Sequence, residues 1–284
     1  MVQKKLTSTR VLTILLKMNL KLFTFDNRTL TLRRVRSVAL GELLMGALAE
    51  LPAPNFADSV QDLIERVDYR RADTPEEREE IYRLRYDAYR QEGAIEPNLS
   101  RSFSDRFDDL GNAYVFGVHF DGKLASSIRL NVSTSACPEL PALGVFEDVL
   151  SPLIEAGKTV IDPTRFVVDP EIARALPKIS YATVRIGWMA CEFFEADWVL
   201  ATVRVEHQAF YRRLFGHKPM CKARPYPTLK KPISLMGLEY PAAKERVHQR
   251  YPFFRSTYFE RRMLFERFLR TPHILRPAMP ANTS

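Results

Sequence analysis

The segment that decides the fold of this 284-residue chain reads TVIDPTRFVV and covers residues 159–168. Its β-branched, apolar ends predict a buried strand, yet Asp162-Pro163 lies inside it. Proline cannot donate a ladder hydrogen bond, so the strand must bulge or lose its pairing there. Asp162 and Arg165 also place charges within apolar surroundings, where an unpaired charge is costly. A strand interrupted at its charged residues indicates a functional site.

More charged residues of the same kind precede this strand. They are Arg85, one helical turn before Tyr89; Asp105 and Asp108, in a polar stretch; and Arg129, near the end of an apolar strand pattern. Arginines and aspartates placed in this way must pair with each other or with a ligand. Two interpretations stay open: a structural ion network, and arginines that bind a substrate carboxylate through paired hydrogen bonds.

The net charge of +8 is unevenly distributed. Residues 1–40 carry nine basic groups and one acidic group, residues 241–284 carry nine and three, and the middle of the chain is acidic. The distribution predicts a basic N-terminal extension (1–56, partly disordered or helical), a core domain (57–240) and a basic, aromatic C-terminal helical segment (241–284). It gives no support for a nucleic-acid partner. The N-terminal extension suits a poorly ordered segment or, alternatively, a basic arm that docks on a membrane surface or a partner. The C-terminal segment suits a helix packed on its own domain or, alternatively, one that docks on a membrane surface or a carrier protein.

The number and spacing of the cysteines and histidines indicate the redox state of the cellular compartment and whether the chain binds a metal. Cys137, Cys191 and Cys221 are widely separated and form no CxxC pair, which favours a reducing compartment. The five histidines show neither HxH nor HExxH spacing, so no metal site is predicted. An apolar stretch at residues 11–16 is too short to span a bilayer. We therefore expect a cytoplasmic protein, with membrane association as an option.

Local patterns predict an alternation of helices and strands. Thr74-Pro75-Glu76-Glu77 has the form of a capping box that starts a helix, and Gly93 suits its end. Asp121-Gly122 suits the turn of a hairpin. This order argues for an α/β fold with one mixed sheet. The predicted elements are strands at 113–120, 123–132, 159–168, 197–203, 217–223 and 232–238, helices at 74–93, 179–194 and 206–215, and loops at 94–112 and 138–152.

From Asp73 to Leu238, the order and spacing of several motifs resemble a known group of enzymes. The sequence is similar to the acyl-homoserine lactone synthases and, more closely, to the N-acyl amino acid synthases of the FeeM type. The lactone synthases carry Phe and Glu where this chain has Tyr89 and Asp162, which favours the second group. The motifs are LRYDAY at 84–89 followed by Gly93, DRFDD at 105–109, Gly122 and IRL at 128–130, Phe146, DPTRFV at 162–167, EHQAFYRR at 206–213, and RPYP at 224–227.

The resemblance implies an α/β (α+β) fold like that of the GCN5-related N-acetyltransferases: a mixed sheet flanked by helices that splays open at a bulged central strand. It also implies transfer of a long-chain fatty acyl group from an acyl carrier protein thioester to the amine of an amino acid. In the transferases, a Tyr at the position of Tyr211 protonates the leaving thiolate. The implied catalytic residues are Arg85, Asp105, Asp108, Arg129, Asp162, Arg165 and Tyr211, and the implied substrate-binding residues are Tyr89, Phe146, Phe166, Val167, Glu206 and His207.

Structural roles compete with these assignments. Tyr211 also suits a core aromatic, Glu206 and His207 also suit a solvated helix start, and the phenylalanines suit a core or pocket wall. The stretch after the central strand, residues 168–174, has no glycine and carries two acids, which disfavours a bound pyrophosphate. We therefore expect no permanently bound cofactor, and the acyl-phosphopantetheine of acyl carrier protein as donor. Alternative functions are a lactone synthase, an exosortase-associated acyltransferase, or a non-catalytic module that binds acyl carrier protein.

Overall fold

Seven strands form one mixed sheet in the computed structural model, which describes residues 55–227 and 229–266. The sheet order is β1-β2-β3-β4-β5-β7-β6, and all neighbours are antiparallel except the parallel pair β4–β5. The predicted fold class is confirmed. The strands are β1 Val67–Arg71, β2 Ala113–Phe120, β3 Lys123–Ser133, β4 Val160–Val168, β5 Trp198–Arg204, β6 Lys218–Pro219 and β7 Ile233–Glu239.

Helices cover both faces of this sheet. The α-helices of the described residues are α1 Phe56–Ile64, α2 Pro75–Gln91, α3 Leu143–Glu155, α4 Pro170–Ala175, α5 Ile179–Phe193, α6 Gln208–Leu214, α7 Tyr240–Arg250 and α8 Tyr258–Phe265. Within the same described residues, 3-10 turns occur at Arg106–Asp108, Val205–His207 and Pro252–Phe254. None of the described helices is long and apolar enough to cross a bilayer.

The alternating direction of side chains along β2 and β3 shows that α2 and α5 pack on opposite faces of the sheet. Phe116 packs into the large core that includes α5, whereas its neighbour Val115 packs against Ile81 of α2. Successive side chains of a strand point to opposite faces. On β3, Leu130 and Pro163 of β4 lie against Gly187 of α5. Arg129 therefore projects toward the α2 face.

Local sequence signals place two elements as predicted. Thr74 and Glu77 form a reciprocal capping box at the start of α2, and Gly93 follows its end with a φ of +63°. The β2–β3 hairpin turns at Asp121 and Gly122, both with positive φ, as a two-residue primed turn requires. Gly216, with a φ of +90°, follows α6.

The predicted loop at residues 138–152 is wrong, because α3 occupies most of it. Its prolines suggested a loop, but Phe146 and Leu150 are completely buried in an apolar cluster beneath the helix. That burial outweighs the presence of Pro152 inside α3, and the helix is kinked at Phe146.

Two further predicted elements are shorter than expected. The strand at 217–223 reduces to Lys218–Pro219 at the sheet edge, where a proline without an N–H is tolerated. The helix at 206–215 begins as the 3-10 turn Val205–His207 and becomes α-helical at Gln208.

The central opening of the sheet lies between β4 and β5. Their ladder contains only the pairs Val160–Trp198 and Ile161–Val199, after which the strands diverge. On its other edge, β4 stays paired with β3, but the register shifts opposite Arg165 and Phe166. The irregularity predicted near Asp162-Pro163 is therefore a bulge two residues later, since Pro163 itself lies in register with Leu130.

The described part of the C-terminal segment packs on the core domain. Phe265 is buried against aromatic rings of β2 and α5, with ring centroids 5.5 Å from Phe116 and 5.5 Å from Phe193. The Arg71 guanidinium donates to the carbonyls of Leu264 and Glu266, each at 3.1 Å. The predicted N-terminal extension up to residue 54 and the tail from residue 267 lie outside the described residues.

Truncation of Phe265 tests this anchor. Phe265→Ala should lower the free energy of unfolding by about 3–5 kcal/mol, because it removes a buried ring and leaves a cavity. The measurement is urea unfolding followed by circular dichroism. Phe259→Ala, on the same helix with a side chain 70% exposed, is the matched control and should change stability little. Equal effects of both variants would contradict the packing of α8 described here.

Candidate active site

A buried ion network lies on the α2 face of β3 and β4. Asp108 accepts a hydrogen bond from Arg85 at 2.8 Å and lies 3.2 Å from Nη1 of Arg129. Asp105 accepts from Arg129 at 2.6 Å and from Nε of Arg165 at 3.1 Å, and Nη2 of Arg165 also donates to it. Three arginines from α2, β3 and β4 thus meet two aspartates from one loop.

The loop presents both carboxylates because they cap the same 3-10 turn. Asp105 accepts from the N–H of Phe107 at 2.9 Å, and Asp108 accepts from the N–H of Asp105 at 3.0 Å. This reciprocal capping fixes the two side chains on one side of the turn. Arg129 is oriented in turn by Thr164, whose hydroxyl accepts from Nε at 3.0 Å.

The Asp105 carboxylate stays ionised. Burial alone would raise the pKa of Asp105, but Arg165 and Arg129 outweigh it and hold this pKa at about 2. Arg85 and Asp108 are completely buried, and burial lowers the pKa of Arg85 against the opposing effect of Asp108. Asp105 is therefore a poor proton acceptor and serves to hold the arginines in place.

Arg165 adopts a left-handed backbone conformation with a φ of +54°. This region is unfavourable for a non-glycine residue and persists where the surroundings enforce it. Here the double hydrogen bond to Asp105 and the Phe103 ring, 4.6 Å from the guanidinium carbon, hold the side chain. The bulge and the ion network are thus parts of one arrangement.

Asp162 occupies a separate buried position beside the network. Its carboxylate accepts from the N–H of Ala142 at 3.1 Å and from the Thr202 hydroxyl at 3.2 Å. Burial raises the pKa of Asp162 to about 6, and the N–H of Ala142 and the charge of Arg129 oppose this shift only in part. Asp162 thus links β4 to α3 and, through Thr202, to the diverging part of β5.

A cavity of about 600 Å³ fills the opening between β4 and β5. Residues of α2 and the 229–233 segment line it on the α2 face, and residues of α4, α5 and α6 line it on the other face. Its lining residues include Tyr89, Glu92, Arg165, Phe166, Val167, Thr202, Arg204, His207, Tyr211 and Lys231.

The structure brings about half of the sequence-predicted site residues to the cavity wall. Tyr89, Arg165, Phe166, Val167, His207 and Tyr211 line it. Arg85, Asp105, Asp108 and Arg129 lie behind the wall, joined to it through Arg165, and Asp162 joins it through Thr202. Glu206 is on the surface, paired with Arg204 and Lys231. Phe146 lies in the buried cluster under α3, 5.3 Å from the Arg224 guanidinium, and is not a lining residue.

Sequence reasoning missed other lining residues. Glu92 and Arg204 form an ion pair of 2.7 Å at the α2 face of the cavity, and Arg204 Nη2 lies 2.7 Å from Nε2 of His207. Burial, followed by the charge of Arg204, lowers the pKa of His207. Glu92 follows the end of α2, and Arg204 is the last residue of β5. Charged residues are common at such positions, so no sequence signal distinguished these two. The described residues hold no group of three or more ligating side chains that would suit a metal ion.

Comparison with known proteins decides the family. The family model of the N-acyl amino acid synthase FeeM matches residues 80–239, which is more than half of the chain and includes the cavity-lining residues from Ala88 to Ile233. The chain belongs to the FeeM family of N-acyl amino acid synthases. It is therefore an acyltransferase of the N-acyltransferase type, and the resemblance to this family is confirmed.

The fold of this chain is similar to that of a solved FeeM structure. The structure of FeeM, an N-acyl amino acid synthase from uncultured soil microbes, is 19% identical with a TM-score of 0.51, covering 65% of this chain and 98% of that chain. The acyl-CoA N-acyltransferase from Pseudomonas aeruginosa is 20% identical (TM-score 0.42; 60% and 98% covered). The CoA-dependent acyl-homoserine lactone synthase BjaI is 14% identical (TM-score 0.44; 61% and 81% covered). A search of curated proteins returned no match.

Removal of one buried charge tests the network of this FeeM-family protein. Asp108→Asn should cost about 3–5 kcal/mol of unfolding free energy, because it leaves Arg85 buried without its anion. The double variant Arg85→Met/Asp108→Asn should cost less than the sum of the single changes, by about 1–3 kcal/mol. Urea unfolding measures both values. Glu79→Gln, which breaks the exposed pair with Arg83, is the control and should have little effect. Strict additivity would contradict direct coupling.

The raised pKa of Asp162 predicts a specific pH dependence. Between about pH 4 and pH 6 the folded protein binds this proton more tightly than the unfolded chain, so its contribution to stability falls as pH rises. Asp162→Asn should remove that fall, which amounts to as much as about 3 kcal/mol. Unfolding curves at pH 4.5 and pH 7 measure it. Asp148→Asn, at an exposed pair with Arg224, should leave this pH interval unchanged; parallel curves for Asp162→Asn and the wild type would contradict the assignment.

Proposed function

We propose that this protein transfers a long-chain fatty acyl group from the thioester of acyl carrier protein to the amine of an amino acid. The observation that carries the proposal is the cavity at the gap between β4 and β5, lined by the bulged segment from Arg165 to Val167. Membership of the FeeM family supplies the reaction type.

The gap suits an extended, amide-containing arm. Beyond Ile161, the edge of β4 that faces β5 has no strand partner. An added extended chain can use such backbone groups, as peptides do when they extend a sheet. A phosphopantetheine arm has two amides and reaches the thioester at its end. The backbone N–H groups of the bulge are then candidates to stabilise the oxyanion of the tetrahedral intermediate.

The reaction needs few groups from the protein. The ammonium group of the acceptor first gives one proton to water. The neutral amine then attacks the thioester carbonyl, the amide bond forms, the carbon–sulfur bond breaks, and a second proton from nitrogen ends on sulfur. Tyr211 lines the cavity on the α5 face, and burial raises the pKa of its hydroxyl. A protonated phenol at this position suits a donor to the departing thiolate. We assign Tyr211 this role and assign Arg165 the placement of the reacting strand.

The segment after β4 supports acyl carrier protein as the acyl donor. The Asp169 carboxylate accepts the N–H groups of Glu171 at 2.9 Å and Ile172 at 3.0 Å, at the start of α4. A side-chain anion thus already uses the backbone donors that a pyrophosphate of coenzyme A would need. This favours acyl carrier protein, whose prosthetic arm lacks the adenosine diphosphate.

Predicted membrane contact concerns the ends of the chain, which lie mostly outside the described residues. The described helix α8 exposes Tyr258, Phe259 and Met263 beside Arg262. Exposed aromatic and basic side chains on one helix are compatible with a membrane surface. This contact stays a prediction, as does the cytoplasmic location.

An acceptor and donor screen tests the proposed function. Purified protein is incubated with long-chain acyl carrier protein, or with the acyl-CoA of the same chain, and with each amino acid. The expected product is an N-acyl amino acid, formed faster from the carrier protein. Faster reaction from acyl-CoA would overturn the donor assignment. A lactone would indicate the lactone synthases, and tight carrier binding without turnover a non-catalytic module.

Arg165→Ala should reduce turnover in this assay by about 100-fold or more, because the bulge that lines the thioester site loses its anchor. The protein should stay folded, since Asp105 keeps Arg129 and the N–H of Phe107. Circular dichroism and thermal unfolding check the fold, and Arg83→Ala, at an exposed pair, is the control. A folded Arg165→Ala protein with normal activity would remove Arg165 from the site.

A further inference from the structure

The cavity has a charged mouth on the α2 face. Glu92 follows the last turn of α2, and Arg204 is the last residue of β5. Their side chains meet across the mouth, with Nη2 of Arg204 2.7 Å from Oε2 of Glu92. Arg204 is mostly buried, with 17% of its side chain exposed, whereas half of the Glu92 side chain is exposed. One positive and one negative group therefore face each other at the entrance.

The arginines of the buried network are poorly placed to receive a ligand carboxylate. Arg85 and Arg129 lie behind the cavity wall, each bound to an aspartate. Arg165 lines the cavity, but Nε and Nη2 of its guanidinium donate to Asp105. Arg204 is the partly buried cation of the mouth. The other polar and charged groups around it are Glu206 at 3.4 Å, the His207 ring at 2.7 Å and, beyond Glu206, Lys231 on the rim.

We propose that the Glu92–Arg204 pair is the recognition site for the zwitterionic head of the α-amino acid acceptor, with Arg204 binding its carboxylate and Glu92 its ammonium group. The inference rests on the proposed function and names the residues that select the acceptor. An α-amino acid carries both charges on adjacent carbons. It exchanges the bond within the pair for two bonds of the same type, so neither protein charge is left unpaired.

The position of the pair fits this role. Tyr89 of α2 and Arg165 of the β4 bulge line the same cavity as the pair, whereas Tyr211 lines it on the opposite face. An acceptor held at Glu92 and Arg204 thus lies in the cavity whose wall includes the bulge of β4.

A comparison of two acceptors tests the proposal. The best amino acid acceptor of the screen is paired with its α-carboxamide, which keeps the ammonium group and side chain but lacks the carboxylate. The wild type should prefer the acid. Arg204→Gln should reduce the ratio of kcat/KM for the acid to that for the amide by about 10- to 100-fold, the value of a charged hydrogen bond. The KM for acyl carrier protein should not change.

Glu92→Gln has a different expected signature. It should raise the KM for the acid and for the amide by the same factor, because both carry the ammonium group. Lys230→Gln is the matched control: its exposed pair with Glu96 lies near the mouth but does not line the cavity, so the acid-to-amide ratio should be unchanged. Arg204→Lys, which keeps the charge but loses the paired N–H donors, replaces Arg204→Gln if that variant does not fold, with the same expected reduction.

The outcomes separate this inference from the proposed function. A wild type that acylates amino acids without preferring acid over amide, or a folded Arg204 variant that keeps the wild-type ratio, overturns the recognition site and leaves the function standing. Absence of any N-acyl amino acid product from the wild type overturns the function itself.

Discussion

The rest of the site depends on the pairing of Asp105 and Asp108 with three buried arginines. A completely buried guanidinium is tolerated only beside an anion, and here one short turn supplies both anions. Because the arginines come from α2, β3 and β4, the turn joins three elements that are distant in sequence. On the α2 face the network lies beside a small apolar cluster of Ala72, Ile81 and Val115, while α5 packs the large apolar core on the other face.

The network also explains why the sheet can stay open at its centre. A parallel pair that ends after two residues leaves β4 supported on one edge only, by β3. The bulge at Arg165 would relax toward a regular strand if nothing opposed it. Asp105 opposes it by holding the Arg165 side chain on the α2 face, where a left-handed backbone is required. The Arg165–Asp105 ion pair, which a regular strand could not make, offsets the unfavourable free energy of the left-handed backbone.

Much of this was predictable from the sequence, for identifiable reasons. The capping box at Thr74 and the hairpin at Asp121-Gly122 are local signals whose physics needs no distant partner. An irregularity in β4 was predicted at Asp162-Pro163, but the structure places it at Arg165 and Phe166. The helix α3 was missed because its prolines mimic a loop and only burial of Phe146 and Leu150 stabilises it. The pairing of arginines with aspartates was predicted from the free-energy cost of burying an unpaired charge. Which of these side chains line the cavity depends on the alternation of side chains along the strands and on a one-residue shift in the β3–β4 register. Glu92 and Arg204 were missed because their importance arises only where α2 and β5 approach each other.

The two sets of charges differ in a way that suits two tasks. In the network, the three arginines and Asp108 are buried, and Arg129, Arg165 and both aspartates each make more than one bond. The pKa of Asp105 is held at about 2, so this carboxylate keeps its charge near neutral pH. At the mouth, Glu92 is half exposed and can exchange one partner for another at little cost, since water replaces lost bonds. A fixed pair is needed where backbone geometry must persist through the reaction, and an exchangeable pair is needed where a charged substrate must enter and a product of lower charge must leave. Acylation removes the positive charge of the amine, so the product loses its ion pair with Glu92. The reaction itself therefore weakens binding of the product and favours its release.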